Sequence, residues 1–180
     1  YWVVSSPDNY VDLGRKLTIA LGEAGLSTLA FCPSRVAAER MVARIRSSAN
    51  HDRSFVRVYR AGLSATERED IENSLREGRL RAVFSTSALE LGIDIGALDC
   101  VVCIGLPSSM MSLWQRAGRA ARAGKEGSII LIPAEVPIDS YYAEHPEELF
   151  ARANEPLVLT LHNKRVICQH FACATQEVGG

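Results

Sequence analysis

Residues 28–45 read TLAFCPSRVAAERMVARI, and the change of period inside this stretch decides the fold. TLAFC (28–32) is a short, mostly apolar run of strand length, suited to burial on both faces. Beyond Pro33, apolar residues recur at Ala38, Met41, Val42 and Ile45, spaced i, i+3, i+4 and i+7, which lays one apolar face along a helix. The same alternation continues down the chain. FVRVY (55–59) is an alternating, half-exposed strand, and Ser64-Ala-Thr-Glu67 is a capping box opening a helix with Ile71 and Leu75 that stops at Gly78. RAVFS (81–85), CVVCI (100–104) and GSIILI (127–132) add three strands, and Ser108 or Ser109 can cap a helix running through Leu113 and Trp114. Five strands with helical crossovers imply an α/β fold, a parallel sheet flanked by helices.

Residues 26–135 read as that domain, preceded by a linker and leading helix over 1–25. The texture changes after Pro133, and 136–180 read as a short, mostly helical appendage, the start of a further domain. Its last helix, around 163–177, puts Val166, His170, Phe171 and Ala174 on one side. The 180 residues are 47% hydrophobic and 23% charged, enough to fill one core. A net charge of −1 gives no global basic field, which counts against a stand-alone nucleic-acid binder but not against a local basic strip. No apolar run approaches bilayer length, and YWVVSSPDNY has neither the basic region nor the apolar region of a signal peptide. Five cysteines without framework spacing favour a reducing cytoplasmic setting, nucleoid-associated if bacterial. The abrupt start and stop would suit a fragment.

Chemistry concentrates in four places. In Gln115-Arg116-Ala117-Gly118-Arg119-Ala120-Ala121-Arg122 a continuous helix would align Gln115, Arg119 and Arg122 on one stripe. Arg116, about 100° round from Gln115, falls off that stripe, and its replacement by alanine is expected to harm turnover less than that of Arg119 or Arg122. Clustered guanidiniums call for an anion, and nucleotide phosphate suits their planar forks; a solvated basic face is the alternative. Ser85-Thr86-Ser87, followed by Gly92 and Asp94, places hydroxyls and free amides after a strand, with Asp94 able to accept from a ribose or pair with an arginine. An N-capped helix ended by glycine explains the same residues. Cys32-Pro33-Ser34-Arg35 and Tyr59-Arg60-Ala61-Gly62 both end strands, where open α/β sheets bind ligands. Ser34 also reads as a plain N-cap.

Taken in chain order, TLAFCPSR, YRAGLS, STSALELGID and QRAGRAAR resemble motifs IV, IVa, V and VI of the second motor domain of superfamily 2 helicases, over about residues 25–133. The resemblance implies a RecA-like sheet, a P-loop NTPase fold without its own Walker A loop. It implies that Arg119 and Arg122 reach the γ-phosphate of ATP, held with Mg2+ mainly by an N-terminal RecA-like domain of the same polypeptide. Gln115 would orient the nucleotide or link to nucleic acid, and Gly92 and Asp94 would serve the ribose side. Ser34, Arg35, the Gly62 backbone and Thr86 would face phosphates of DNA, single-stranded or forked. Ala121 departs from the pattern, which has glycine there, so the reach of Arg122 depends on a helical turn. The nearest Walker-like stretch, Gly118 to Glu126, has the wrong spacing and ends in Glu instead of Ser or Thr, and no DEAD or DEAH box is present. The isolated chain is therefore not expected to hydrolyse ATP.

LELGIDIGALD, SLWQRAGRAAR, PIDSYY with HPEELF, and HNKRVICQHFACATQE resemble the branch containing the DNA-repair helicase MrfA and the fungal Hrq helicases, mostly 3′-to-5′ DNA motors. An RNA helicase, a translocase that does not unwind, and a non-catalytic interaction module remain as alternatives. Cys100 and Cys103 are expected on opposite faces of one strand as buried thiols. His162, Cys168, His170 and Cys173 are read as helix residues and not as a metal site. Trp114 is expected to anchor the core.

Overall fold

In the computed structural model, residues 2–3, 9–47, 54–86, 98–120, 126–156 and 162–178 are described. The apolar runs form strands β1 (Trp2–Val3), β2 (Thr28–Phe31), β3 (Val56–Tyr59), β4 (Ala82–Ser85), β5 (Cys100–Ile104) and β6 (Ser128–Ile132). They make one parallel sheet in the order β1-β6-β5-β2-β4-β3. Between them run α1 (Tyr10–Glu23), α2 (Arg35–Ser47), α3 (Ala65–Arg76) and α4 (Met110–Ala117), and α5 (Pro137–Glu144), α6 (Pro146–Ala151) and α7 (Lys164–Val178) follow.

Strand alternation divides the core into two layers. Leu29, Phe31, Val83, Val101, Cys103 and Leu131 face α3, α4 and α6, meeting Ile71, Leu75, Met110, Leu113 and Leu149. Ala30, Phe84, Cys100, Val102, Ile104 and Ile132 face α1 and α2, meeting Ile19, Ala38, Met41, Val42 and Ile45. Each of the Val, Leu, Ile, Phe and Met side chains so removed from water contributes about 1.5–3 kcal/mol against the loss of chain entropy. Cys100 and Cys103 do lie in opposite layers. β3, at the sheet edge, is half-buried as its alternation implied.

α1 crosses the sheet closely at Gly14, where an added Cβ would stand 2.6 Å from Ile104 Cδ1 and Cγ1. α3 opens on the expected capping box: Glu67 N–H donates to Ser64 Oγ at 3.2 Å, and Ser64 N–H donates to Glu67 Oε2 at 2.8 Å.

Three features differ from expectation. Trp2–Val3 pairs with β6 from within the stretch read as a linker, too short a strand to leave a pattern. α4 stops at Ala117, because Ala120 leaves the helical path to bridge in parallel with Leu98. α7 forms where expected but is exposed, with Phe171 at 69% exposure. No helix among the described residues is long and apolar enough to cross a membrane.

Candidate nucleotide and nucleic-acid interface

The order of the strands reverses direction between β2 and β5, and the loops leaving their carboxyl ends part there. A cleft of about 390 Å³ opens at this edge. Cys32 and Pro33 after β2, Thr86 after β4, Gly105, Leu106 and Ser108 after β5, and Ala134 after β6 contribute to its wall. The backbone keeps these ends together: Cys32 N–H donates to Ser85 O at 2.7 Å, and Gly105 N–H to Ile132 O at 2.8 Å. Tyr10 and Asp139 complete the wall, and α4 adds Arg116, whose guanidinium carbon sits 4.8 Å over the Phe31 ring.

The cleft therefore joins the turn after β2, the end of β4 and the arginine-bearing helix. Burial pushes the Cys32 thiol up to about 12, against the opposing pull of Arg116, so this sulfur is a wall atom and not a nucleophile.

Ser34 and Arg35 stand exposed at the start of α2. Ser34 Oγ accepts from Ala37 N–H at 3.1 Å, the plain cap foreseen as its other reading. Arg35 pairs with Glu39 at 3.1 Å, and Glu39 also receives Arg60 at 3.0 Å, so one carboxylate links the turns after β2 and β3. These exposed pairs add little stability, and an incoming phosphate can displace Glu39 cheaply. Gly62 has φ +88°, a left-handed conformation that explains why glycine stands there. Thr86 is half-buried on the cleft.

Gln115 is half-buried near the end of α4. Past the helix, Arg119 N–H donates to Arg116 O at 3.0 Å and Ala120 N–H to Ala117 O at 2.9 Å, so the chain tightens instead of continuing at 3.6 residues per turn. The two described members of the expected stripe, Gln115 and Arg119, therefore do not continue a regular helical row. Arg119 is only 8% exposed, held by contacts within the domain. Gly92, Asp94 and Arg122 lie outside the described residues.

The turn after β2, where a phosphate loop would stand in such a sheet, is ill-suited to a triphosphate. Pro33 has no N–H, and Ser34 Oγ already accepts from its own helix. What the edge does offer is guanidinium, hydroxyl and glycine backbone, the components of a half-site.

Arg116, off the expected stripe, is half-buried and stacked on Phe31. One expectation needs correction. Trp114 is 47% exposed and meets Phe150 at 6.3 Å between ring centroids, so it anchors no core. The sequence reading missed Tyr10, Asp139 and Glu155. The two carboxylates act on residues 33 to 45 positions away, and no periodic pattern announces such pairings.

Residues 12–124 match the family described as helicase conserved C-terminal domain. The chain is 39% identical, over 85% of its length, to the ATP-dependent helicase YprA of Bacillus subtilis. It is 35% identical, over 95% of its length, to the ATP-dependent helicase HRQ1 of Saccharomyces cerevisiae. It spans 21% and 17% of those two relatives. The helicase MrfA, solved bound to DNA and AMPPNP, superposes with a TM-score of 0.86 at 34% identity, over 96% of this chain and 26% of that one. The C-terminal domain of the DEAD-box protein Dbp5, at 22% identity, a TM-score of 0.65 and 86% coverage of both chains, shares the RecA-like fold.

Proposed function

The chain belongs to the helicase conserved C-terminal domain family, and we propose that it is the second RecA-like half of an ATP-driven DNA motor. A first RecA-like domain of the same polypeptide supplies the phosphate loop and holds most of the ATP and Mg2+. The observation that carries this reading is the edge just described. It gathers Thr86, the Cys32-Pro33 turn that leads to Ser34, and Arg116 of α4 around one cleft, while its own first turn cannot cradle a triphosphate.

In this reading ATP supplies the bond whose cleavage drives the motor, and the chain supplies charge and grip. Arg119 and Arg122 neutralise charge growing on the γ-phosphoryl group, which a fixed guanidinium does without reorganising. Gln115 orients the nucleotide, and Gly92 and Asp94 serve its ribose side. Ser34, Arg35, the Gly62 N–H and Thr86 grip strand phosphates without reading sequence. MrfA, solved bound to DNA, supports DNA as the track; 3′-to-5′ as the direction and repair as the setting rest on the motif resemblance to the MrfA and Hrq branch.

The test begins with the isolated chain and a single-stranded oligonucleotide. Expected are no ATP turnover above a contaminant control and weak binding that falls steeply with salt, further weakened by Thr86→Ala. Sustained turnover by the purified chain, or tight binding insensitive to salt, contradicts the half-motor.

A further inference from the structure

α4 has eight residues, about two turns, and a helix that short does not hold itself in water. Its first amides have no partner inside the helix. Ser109 Oγ accepts one of them, from Ser112 at 3.0 Å. The other two go to a residue far along the chain. Met110 N–H donates to Glu155 Oε1 at 2.8 Å, and Met111 N–H donates to Glu155 Oε2 at 3.2 Å. A carboxylate gripping both amides at the positive end of a helix is favoured by charge and geometry together.

The same segment holds α4 and its approach at two further points. Asp139, 7% exposed, accepts through Oδ2 from Leu106 N–H at 3.0 Å and from Ala134 N–H at 2.8 Å. That ties the turn entering α4 to the turn leaving β6. Leu149, 5% exposed, joins the core layer of Met110 and Leu113, and beside it the Phe150 ring stands 6.3 Å from that of Trp114. All three contacts come from residues beyond the 12–124 that match the family.

We propose that residues 134–155 form a brace for α4, and that Glu155, by gripping the Met110 and Met111 amides, is a positioning residue for Gln115 and Arg116 at the far end of that helix and for Arg119 just beyond it. Displacement of a charge-stabilising group by about 1 Å is enough to cost catalysis heavily, and a two-turn helix released at its start is left to pivot on its far end, where Arg116 stacks on Phe31 and Ala120 bridges to Leu98. The catalytic consequence rests on the half-motor reading; the grip itself does not.

The amide donors, Met110 first, hold the Glu155 carboxyl below its ordinary range, aided by the charge of Arg152. A lowered folded pKa means that the grip is fully present above the ordinary carboxylate range and is lost as pH falls through the lowered value. The first turn of α4, Met110 to Ser112, brings no titratable group of its own to this contact.

The experiment uses the enzyme that contains this chain together with its first motor domain, as Glu155→Gln and Glu155→Asp. Hydrogen exchange at the Met110 and Met111 amides reads the grip, and ATP turnover on single-stranded DNA reads the positioning. In Glu155→Gln, exchange at both amides should speed at least about fivefold. kcat should fall by a similar factor, with KM for ATP and DNA affinity within about twofold. Glu155→Asp should recover part of both effects. Wild-type protection should fade below the ordinary carboxylate range, while that of Glu155→Gln stays flat. Unchanged exchange in Glu155→Gln overturns the brace, and faster exchange with unchanged kcat overturns the positioning role. If Arg119→Ala also leaves turnover intact, the half-motor reading has failed, and the exchange result still decides the grip.

Discussion

Arg116 shows what a helical wheel leaves out. Its angular offset from Gln115 takes it off the stripe but does not say what it meets, and α4 lies so that this offset points at Phe31. An arginine stacked on an aromatic ring contributes about 0.5–2 kcal/mol, more where water is excluded. Arg116→Ala should therefore lower the urea midpoint by an amount equivalent to roughly 1 kcal/mol, with Arg116→Lys recovering only part because it lacks the planar face. A midpoint unchanged in Arg116→Ala would mean that the stack adds nothing. Single residues were legible where chemistry is local. Ser64 with Glu67, and the opposed Cys100 and Cys103, needed only spacing. Trp114, Asp139 and Glu155 were not legible, because their environments are set by partners tens of residues away.

At the scale of elements, period and caps were sufficient for β2 to β6 and for α2 and α3, since the doubly covered strands β2, β4 and β5 must be mostly apolar. α4 was overextended because Gly118, its C-cap, was read as a close-approach residue inside the helix and not as its stop; past it, Ala120 bridges to Leu98, a tertiary event. β1 was missed because its residues pair with β6, at the other end of the sequence. Glycine carries an element-scale prediction of its own. Gly14 sits inside α1, where glycine is a poor helix former, and the intrahelical cost is accepted because Ile104 stands against it. Gly14→Ala should improve helix propensity and still destabilise the fold by about 1–3 kcal/mol, since α1 must lift from β5. Thermal or urea unfolding checks this, and a more stable Gly14→Ala would show that the close approach is slack. Gly14→Ala combined with Ile104→Val should recover part of the loss.

At the scale of the molecule, the fold class was readable from the alternation of periods, but the strand order was not. The order places β5 beside β2 and so brings α4 to the same edge as Ser34 and Thr86. That adjacency brings the turn after β2, the end of β4 and Arg116 of α4 to one cleft, the arrangement on which the proposed half-site rests. Loss of a group that meets charge only in the transition state lowers kcat, whereas loss of a strand-phosphate contact lowers affinity and its salt slope. The most direct test measures ATP turnover stimulated by single-stranded DNA, together with affinity for the same strand, in the enzyme containing both motor domains. Arg119→Ala and Arg122→Ala should each lower kcat by about 10³-fold, with affinity changed less than about threefold. Near-normal turnover in both, with affinity for the strand lost instead, would contradict the assignment of this edge as half of an ATP site.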